Sequence, residues 1–102
     1  MEIVVLNPNV RSWIDPTIAP SQELAGIAAA LQRAGHATDL IDADREDLPE
    51  YEVSRRIAAL HPDLICVGVS TVTARFVKLA ARVLRGSFPN VPMVAVACHP
   101  LA

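Results

Sequence analysis

The sequence predicts an α/β domain built on a parallel sheet, and three observations predict it. Short continuous β-branched runs recur along the chain, segments of helical period separate them, and each separation is long enough for the crossover that parallel neighbours require. The expected element order is β-α-β-α-β-α-β.

Ile3-Val4-Val5-Leu6 opens the series. An apolar run without polar alternation is what a strand covered on both faces needs, and Leu64-Ile65-Cys66-Val67-Gly68-Val69 and Met93-Val94-Ala95-Val96 repeat it. All three read as interior strands. The first helix follows from Leu24, Ile27, Ala28 and Leu31 at i, i+3, i+4 and i+7, with Ser21 placed to cap it and Gly35 free to adopt the left-handed stop. Ala37 to Asp42 is less apolar and carries Asp39 and Asp42, which suits a strand at the sheet edge. Val53, Ile57 and Leu60 mark a second helix after Pro49. His61-Pro62-Asp63 ends it, because the residue before a proline avoids helical geometry. Phe76, Leu79, Ala80 and Val83 form the third stripe, with Arg75, Lys78, Arg82 and Arg85 opposite and Gly86 and Pro89 closing the helix.

Right-handed crossovers and an acidic edge strand make 2-1-3-4 the economical strand order. That is the flavodoxin-like, doubly wound (Rossmann-like) arrangement, a three-layer α/β/α sandwich. Such sheets usually have five strands. Residues 1–102 therefore read as a single domain truncated before its fifth strand, a fragment of a longer chain with an open edge on strand four. Marginal stability, or association through that edge, is the expected consequence.

The 102 residues are 52% hydrophobic and 20% charged, which excludes a disordered tail. No apolar run approaches the roughly 20 residues that span a bilayer. Eleven acidic against nine basic residues give a net charge of −2, so no overall cationic field collects nucleic acid or anionic lipid, and neither is expected as a partner. Two cysteines make no disulfide framework, and Met1-Glu2-Ile3 runs into a strand without the order of a signal peptide. A cytoplasmic setting is expected.

Ligands of doubly wound sheets bind beyond the carboxyl ends of the strands at the switch point, here between strands one and three. Three loops reach it: Asn7 to Pro20, Ser70 to Thr73 and Ala97 to Ala102. The first contains no glycine, so the backbone cradle of a dinucleotide or nucleoside triphosphate site is missing, and Asp42 and Asp44 read as solvated turn carboxylates. Strands one and three end in Asn7 and Ser70, not in the carboxylates that a magnesium-holding receiver domain requires. Cys98 and His99 are adjacent but lack the spaced partners of a zinc site, and Cys66 reads as a core residue. No nucleophile and base are paired. The long first loop holds Trp13, Ile14 and Ile18 near Arg11 and Asp15; these apolar groups either cover a ligand or neighbouring domain, or fold back on their own sheet edge. Of the hydroxyls in Ser70-Thr71-Val72-Thr73, one is expected to cap the third helix, leaving others to line a pocket for a flat, hydrogen-bonding ring.

Taken in order, these segments resemble a known family. Asn7-Pro8 follows strand one; Pro20 precedes a helix ending Leu31-Gln32-Arg33-Ala34-Gly35-His36; then come Asp39-Leu40-Ile41-Asp42-Ala43, Pro62-Asp63-Leu64-Ile65-Cys66-Val67-Gly68-Val69-Ser70, Pro89-Asn90-Val91-Pro92 and His99-Pro100. The series is similar to the N-terminal cobalamin (vitamin B12)-binding domain of cobalamin-dependent radical S-adenosylmethionine enzymes, over essentially the whole chain.

The resemblance implies a module that holds cobalamin at the carboxyl ends of the strands, in a parent enzyme of methyltransferase type. Its partner would be an adjacent barrel domain carrying S-adenosylmethionine and a 4Fe-4S cluster. It implies that Asn7, Pro8 and Trp13 flank the corrin ring, that Ser70, Thr71, Val72 and Thr73 meet the nucleotide tail or corrin side chains, and that Ala97, Cys98 and His99 approach the ring edge. It implies no catalytic residue and no protein ligand to the metal. This chain lacks a cysteine triad for a cluster, so its role is to bind, orient and shield. A second reading is a cofactor-free docking or structural scaffold, since Val96 and Ala97 stand where the family commonly has paired glycines. A third is a stand-alone domain for a small ligand or a protein.

Overall fold

The computed structural model describes residues 1–10, 21–70 and 73–97. Seven elements follow one another: β1 (Glu2–Asn7), α1 (Ser21–Arg33), β2 (Ala37–Asp42), α2 (Glu50–Leu60), β3 (Leu64–Val69), α3 (Ala74–Ser87) and β4 (Met93–Ala97). Every strand pairing is parallel, in the order β2-β1-β3-β4. This is the expected α/β fold with flavodoxin-like winding.

The apolar runs make two cores because successive side chains of a strand point to opposite faces. On one face Ile3, Val5 and Cys66 pack with Leu24 and Ala28 of α1. On the other, Val4, Leu6, Ile65 and Val67 pack with Val53 and Ile57 of α2 and Val77 and Leu84 of α3. Leu24 is fully buried, and its side chain fills the space over Gly68: a Cβ built there would lie 2.5 Å from Leu24 Cδ1. The glycine in β3 is thus a close-approach position.

Both helix stops differ in kind. Gly35 has φ +96°, the left-handed stop expected of it. His61 also caps left-handed, at φ 48° and ψ 57°, with its N–H donating to Ala58 O at 3.4 Å. The residue before Pro62 therefore leaves helical geometry, as expected, and does so through the left-handed region. The Ser21 side chain lies outside the described residues.

Two expectations about burial are corrected. β4, read as covered on both faces, is half open, with Val94 46% exposed. It stands at the end of the sheet, where Val96 still packs against the α1-side core while Val94 on the same face stays open. On α3 the core is met by Val77 and Leu84, whereas Leu79 and Val83 of the expected stripe are 49% and 43% exposed. The apolar arc of this helix is wider than its buried face, so its densest line of large residues lies along a flank.

Glu52 on α2 accepts hydrogen bonds from both Arg55 and Arg56. The Arg55 hydrogen bond above all holds its carboxyl down to about 2 from the ordinary 4.5. A depressed carboxylate stabilises above its unfolded-state value and loses that contribution as pH falls through its folded one. Acid titration between pH 4.5 and about 2 is therefore expected to destabilise Glu52→Gln less steeply than the parent, read by circular dichroism.

Cys66 is 5% exposed, and burial pushes its thiol up from the ordinary value. In a Cys98→Ser background it is expected to react with a disulfide reagent only as fast as the domain opens, accelerating with denaturant. Immediate stoichiometric reaction would contradict its place in the core.

Candidate ligand-binding rim

The carboxyl ends of the strands form a rim that is split by the pairing itself. β1 and β3 run together from Ile3↔Leu64 to Leu6↔Val67, after which Asn7 pairs with Asp42 of β2 while Gly68 and Val69 pair with Val96 and Ala97 of β4. The backbones part at this point. A guest wider than one strand spacing meets backbone and side chains from β1, β3 and β4 around one opening.

On the β1 side the chain is held by the turn after β2. Asn7 is 2% exposed; its Nδ2 donates to Asp42 Oδ1 at 2.9 Å, and its carbonyl accepts from the N–H groups of Ala43 and Asp44. Two residues on, Asn9 Nδ2 donates to Asp47 Oδ1 and to Leu48 O, both at 3.0 Å. Val10 N donates to Asp44 Oδ1 at 2.9 Å. Asp44 is only 1% exposed, which corrects its reading as a solvated turn carboxylate. A buried carboxylate needs donors, and a backbone N–H from the segment leaving β1 is one. This group was missed because Asp42-Ala43-Asp44 looks like an ordinary polar turn. The available signal was the alternating Asn7-Pro8-Asn9 opposite it.

The β3 side is closed by a reciprocal pair. Ser70 N donates to Thr73 Oγ1 at 2.9 Å and Thr73 N donates to Ser70 Oγ at 3.2 Å, which closes the turn between β3 and α3. Ser70 and Thr73 are 3% and 2% exposed. The expected hydroxyl cap of α3 is not formed: the N-cap residue is Thr73, its side chain makes no cap hydrogen bond to the helix, and its hydroxyl turns back to Ser70 instead. The two hydroxyl oxygens are 3.1 Å apart, and Thr73 Oγ1 also lies 3.4 Å from Ser70 O. When the Thr73 proton points at either Ser70 oxygen, the Ser70 proton is left to donate outward.

The rim thus gathers Asn7, Pro8, Ser70, Thr73 and Ala97 at one end of the sheet, Ala97 exposed at the end of β4. Trp13, Thr71, Val72, Cys98 and His99 lie outside the described residues, as do Ile14 and Ile18. Pro8 also borders a groove of about 390 Å³ between α2 and α3, lined by Leu6, Leu48, Val53, Leu79, Val83 and Leu84 among others. No sequence signal marked this groove, since it exists only because α3 presents one edge of its apolar arc to the sheet.

The donor set decides what chemistry fits. Among the described residues the gathered side chains are neutral, and the acidic Asp42 and Asp44 stand beside them. The rim groups among the described residues are thus hydroxyls and an amide, neutral and hydrogen-bonding. Among the described residues no helix is long and apolar enough to cross a membrane. The fold defines the class: a doubly wound α/β domain of flavodoxin-like winding, with its switch point between β1 and β3. Compared with family models, curated proteins and solved structures, the chain matches none of them significantly.

Proposed function

We propose that this domain is the cobalamin-binding module of a cytoplasmic radical S-adenosylmethionine enzyme of methyltransferase type, holding the corrinoid across the split carboxyl rim. The observation that carries the reading is the parting of β1 from β3 at Leu6 and Val67, with neutral hydrogen-bonding groups on both sides. Ordered motifs along the whole chain support it. In this reading Asn7 and Pro8 border the ring, the Ser70 hydroxyl donates to the guest while Thr73 holds its oxygen in place, and Ala97 limits the approach of the ring edge. Thr71, Val72, Trp13, Cys98 and His99 complete the set by resemblance. A bound corrinoid supplies a cobalt through which a methyl group passes; the protein residues bind, orient and exclude water. S-adenosylmethionine and the 4Fe-4S cluster belong to an adjacent barrel domain.

Titrating the full-length protein with hydroxocobalamin is expected to give a saturable change in its visible spectrum at micromolar protein. No change at high micromolar ligand defeats the reading. A specific observation favours the scaffold reading instead: Ser70 and Thr73 are almost fully buried and tied to each other. Changing Val96 and Ala97 together to glycine separates the two. Tighter corrinoid binding follows if the rim is a cofactor site, and unchanged negligible binding if it is a scaffold.

A further inference from the structure

The charges of this chain are sorted along its length. All 11 acidic residues lie within residues 1–63, whereas residues 64–102 carry the four cations Arg75, Lys78, Arg82 and Arg85 and no acid. The near-neutral total conceals this asymmetry, which sequence halves of opposite sign commonly convert into a recognition surface. All four cations sit on α3 and are exposed. The ion pairs among the described residues join Arg55 and Arg56 to Glu46 and Glu52 and leave these four without an acidic partner.

The same helix shows the exposed Leu79 and Val83 on the wall of the 390 Å³ groove, whose buried lining includes Leu6, Val53 and Leu84. We infer that this groove is a docking site for an amphipathic helix of a protein partner that inserts apolar side chains between α2 and α3 and lays an acidic flank against Arg75 and Arg82. Charge complementarity names the occupant. Arg75 and Arg82 stand at i−4 and i+3 from Leu79 on α3, which puts them on the helix turns beside the groove wall, and Glu50 lines the groove from α2. A uniformly anionic surface, lipid or nucleic acid, meets repulsion at that wall; a helix with acids along one flank does not. A recess of this depth also accepts inserted anchors, which a bilayer surface does not supply. The inference rests on the α2 and α3 walls of the groove and not on the Ser70 and Thr73 side of the rim, so it stands independently of corrinoid binding.

The test uses a fluorescein-labelled peptide of about 20 residues, above the roughly 12–15 at which isolated helices become marginal. It carries leucine at i, i+3, i+4 and i+7, glutamate along one flank and glutamine along the other. The peptide is expected to bind the full chain in anisotropy, more weakly as salt rises. Combining Arg75→Glu with Arg82→Glu should weaken binding on the order of tenfold, and Leu79→Asp should remove it. Both variants change exposed side chains, and far-ultraviolet circular dichroism together with an unchanged urea unfolding midpoint verifies that they fold. Failure of the peptide to bind, equal binding of the peptide with lysine for glutamate, or tighter binding to vesicles of phosphatidylglycerol and phosphatidylcholine or to a single-stranded oligonucleotide overturns the inference.

Discussion

Leu24→Ala is expected to lower folding stability by about 2–5 kcal/mol, the range for truncating a fully buried leucine whose cavity collapses only in part. Leu24 is completely buried between α1 and the sheet. Its side chain occupies the space that a Cβ on Gly68 would need, so Gly68→Ala is expected to overpack the same site by about 1–3 kcal/mol. The two changes share one volume: the extra methyl of one enters the void left by the other. The double variant should therefore be less destabilised than the sum of the singles, read as a coupling energy from urea denaturation of all four proteins. Strict additivity would mean that α1 does not rest on β3 at this point, and the winding that places α1 over β1 and β3 would lose its packing argument.

Asp44→Ala should reduce stability by about 2–3 kcal/mol, because a charge-assisted hydrogen bond is lost and the buried Val10 N–H is left without its carboxylate. The bond to Asp44 Oδ1 is 2.9 Å long and buried, and it fixes where the chain leaves β1. Asn9 is tied to the same turn at Asp47 and Leu48, so the effect should be local as well as global. Faster amide exchange at Val10 and Asp44 than at Val4 and Val5 of β1 would show the turn loosening first. Uniform exchange across β1 with no change in melting would contradict the anchoring role. The same variant should weaken corrinoid binding if the β1 side of the rim is held in place by this turn.

What could be read from the sequence follows from the physics of each element. Strand order and helix positions were legible because continuous β-branched runs and helical stripes report burial directly, and because right-handed crossovers leave few windings. Gly35 was legible for the same kind of reason: a residue without a Cβ directly after a helical stripe has one common use. The exposure of β4 was hidden because Met93-Val94-Ala95-Val96 is as apolar as a central strand, although its position at the end of the order leaves Val94 uncovered. The tilt of α3 was hidden because Val77 and Leu84 share their arc with Leu79 and Val83, and periodicity alone does not choose which edge of a wide arc meets the sheet. At the rim, Asn7, Ser70 and Thr73 were identified from their places at strand ends. That Ser70 and Thr73 partner each other depends on the local backbone, as does the burial of Asp44 beneath Val10.

The groove between α2 and α3 meets the rim on its β1 side, through Leu6, Pro8, Asn9, Ala43 and Leu48, and leaves the Ser70 and Thr73 side apart. The groove is mainly apolar, and the far side of the rim is neutral and hydrogen-bonding. Perturbation at Ser70, Thr73 and Ala97 therefore tells a rim ligand from a groove ligand.

Amide chemical-shift mapping of the chain during addition of hydroxocobalamin, which is diamagnetic, tests the rim most directly. The account predicts saturable perturbations clustered at Asn7, Ser70, Thr73 and Ala97, with α2 and the amino ends of the strands unmoved. Perturbations confined to the α2–α3 groove, or none at all at saturating ligand, would contradict it.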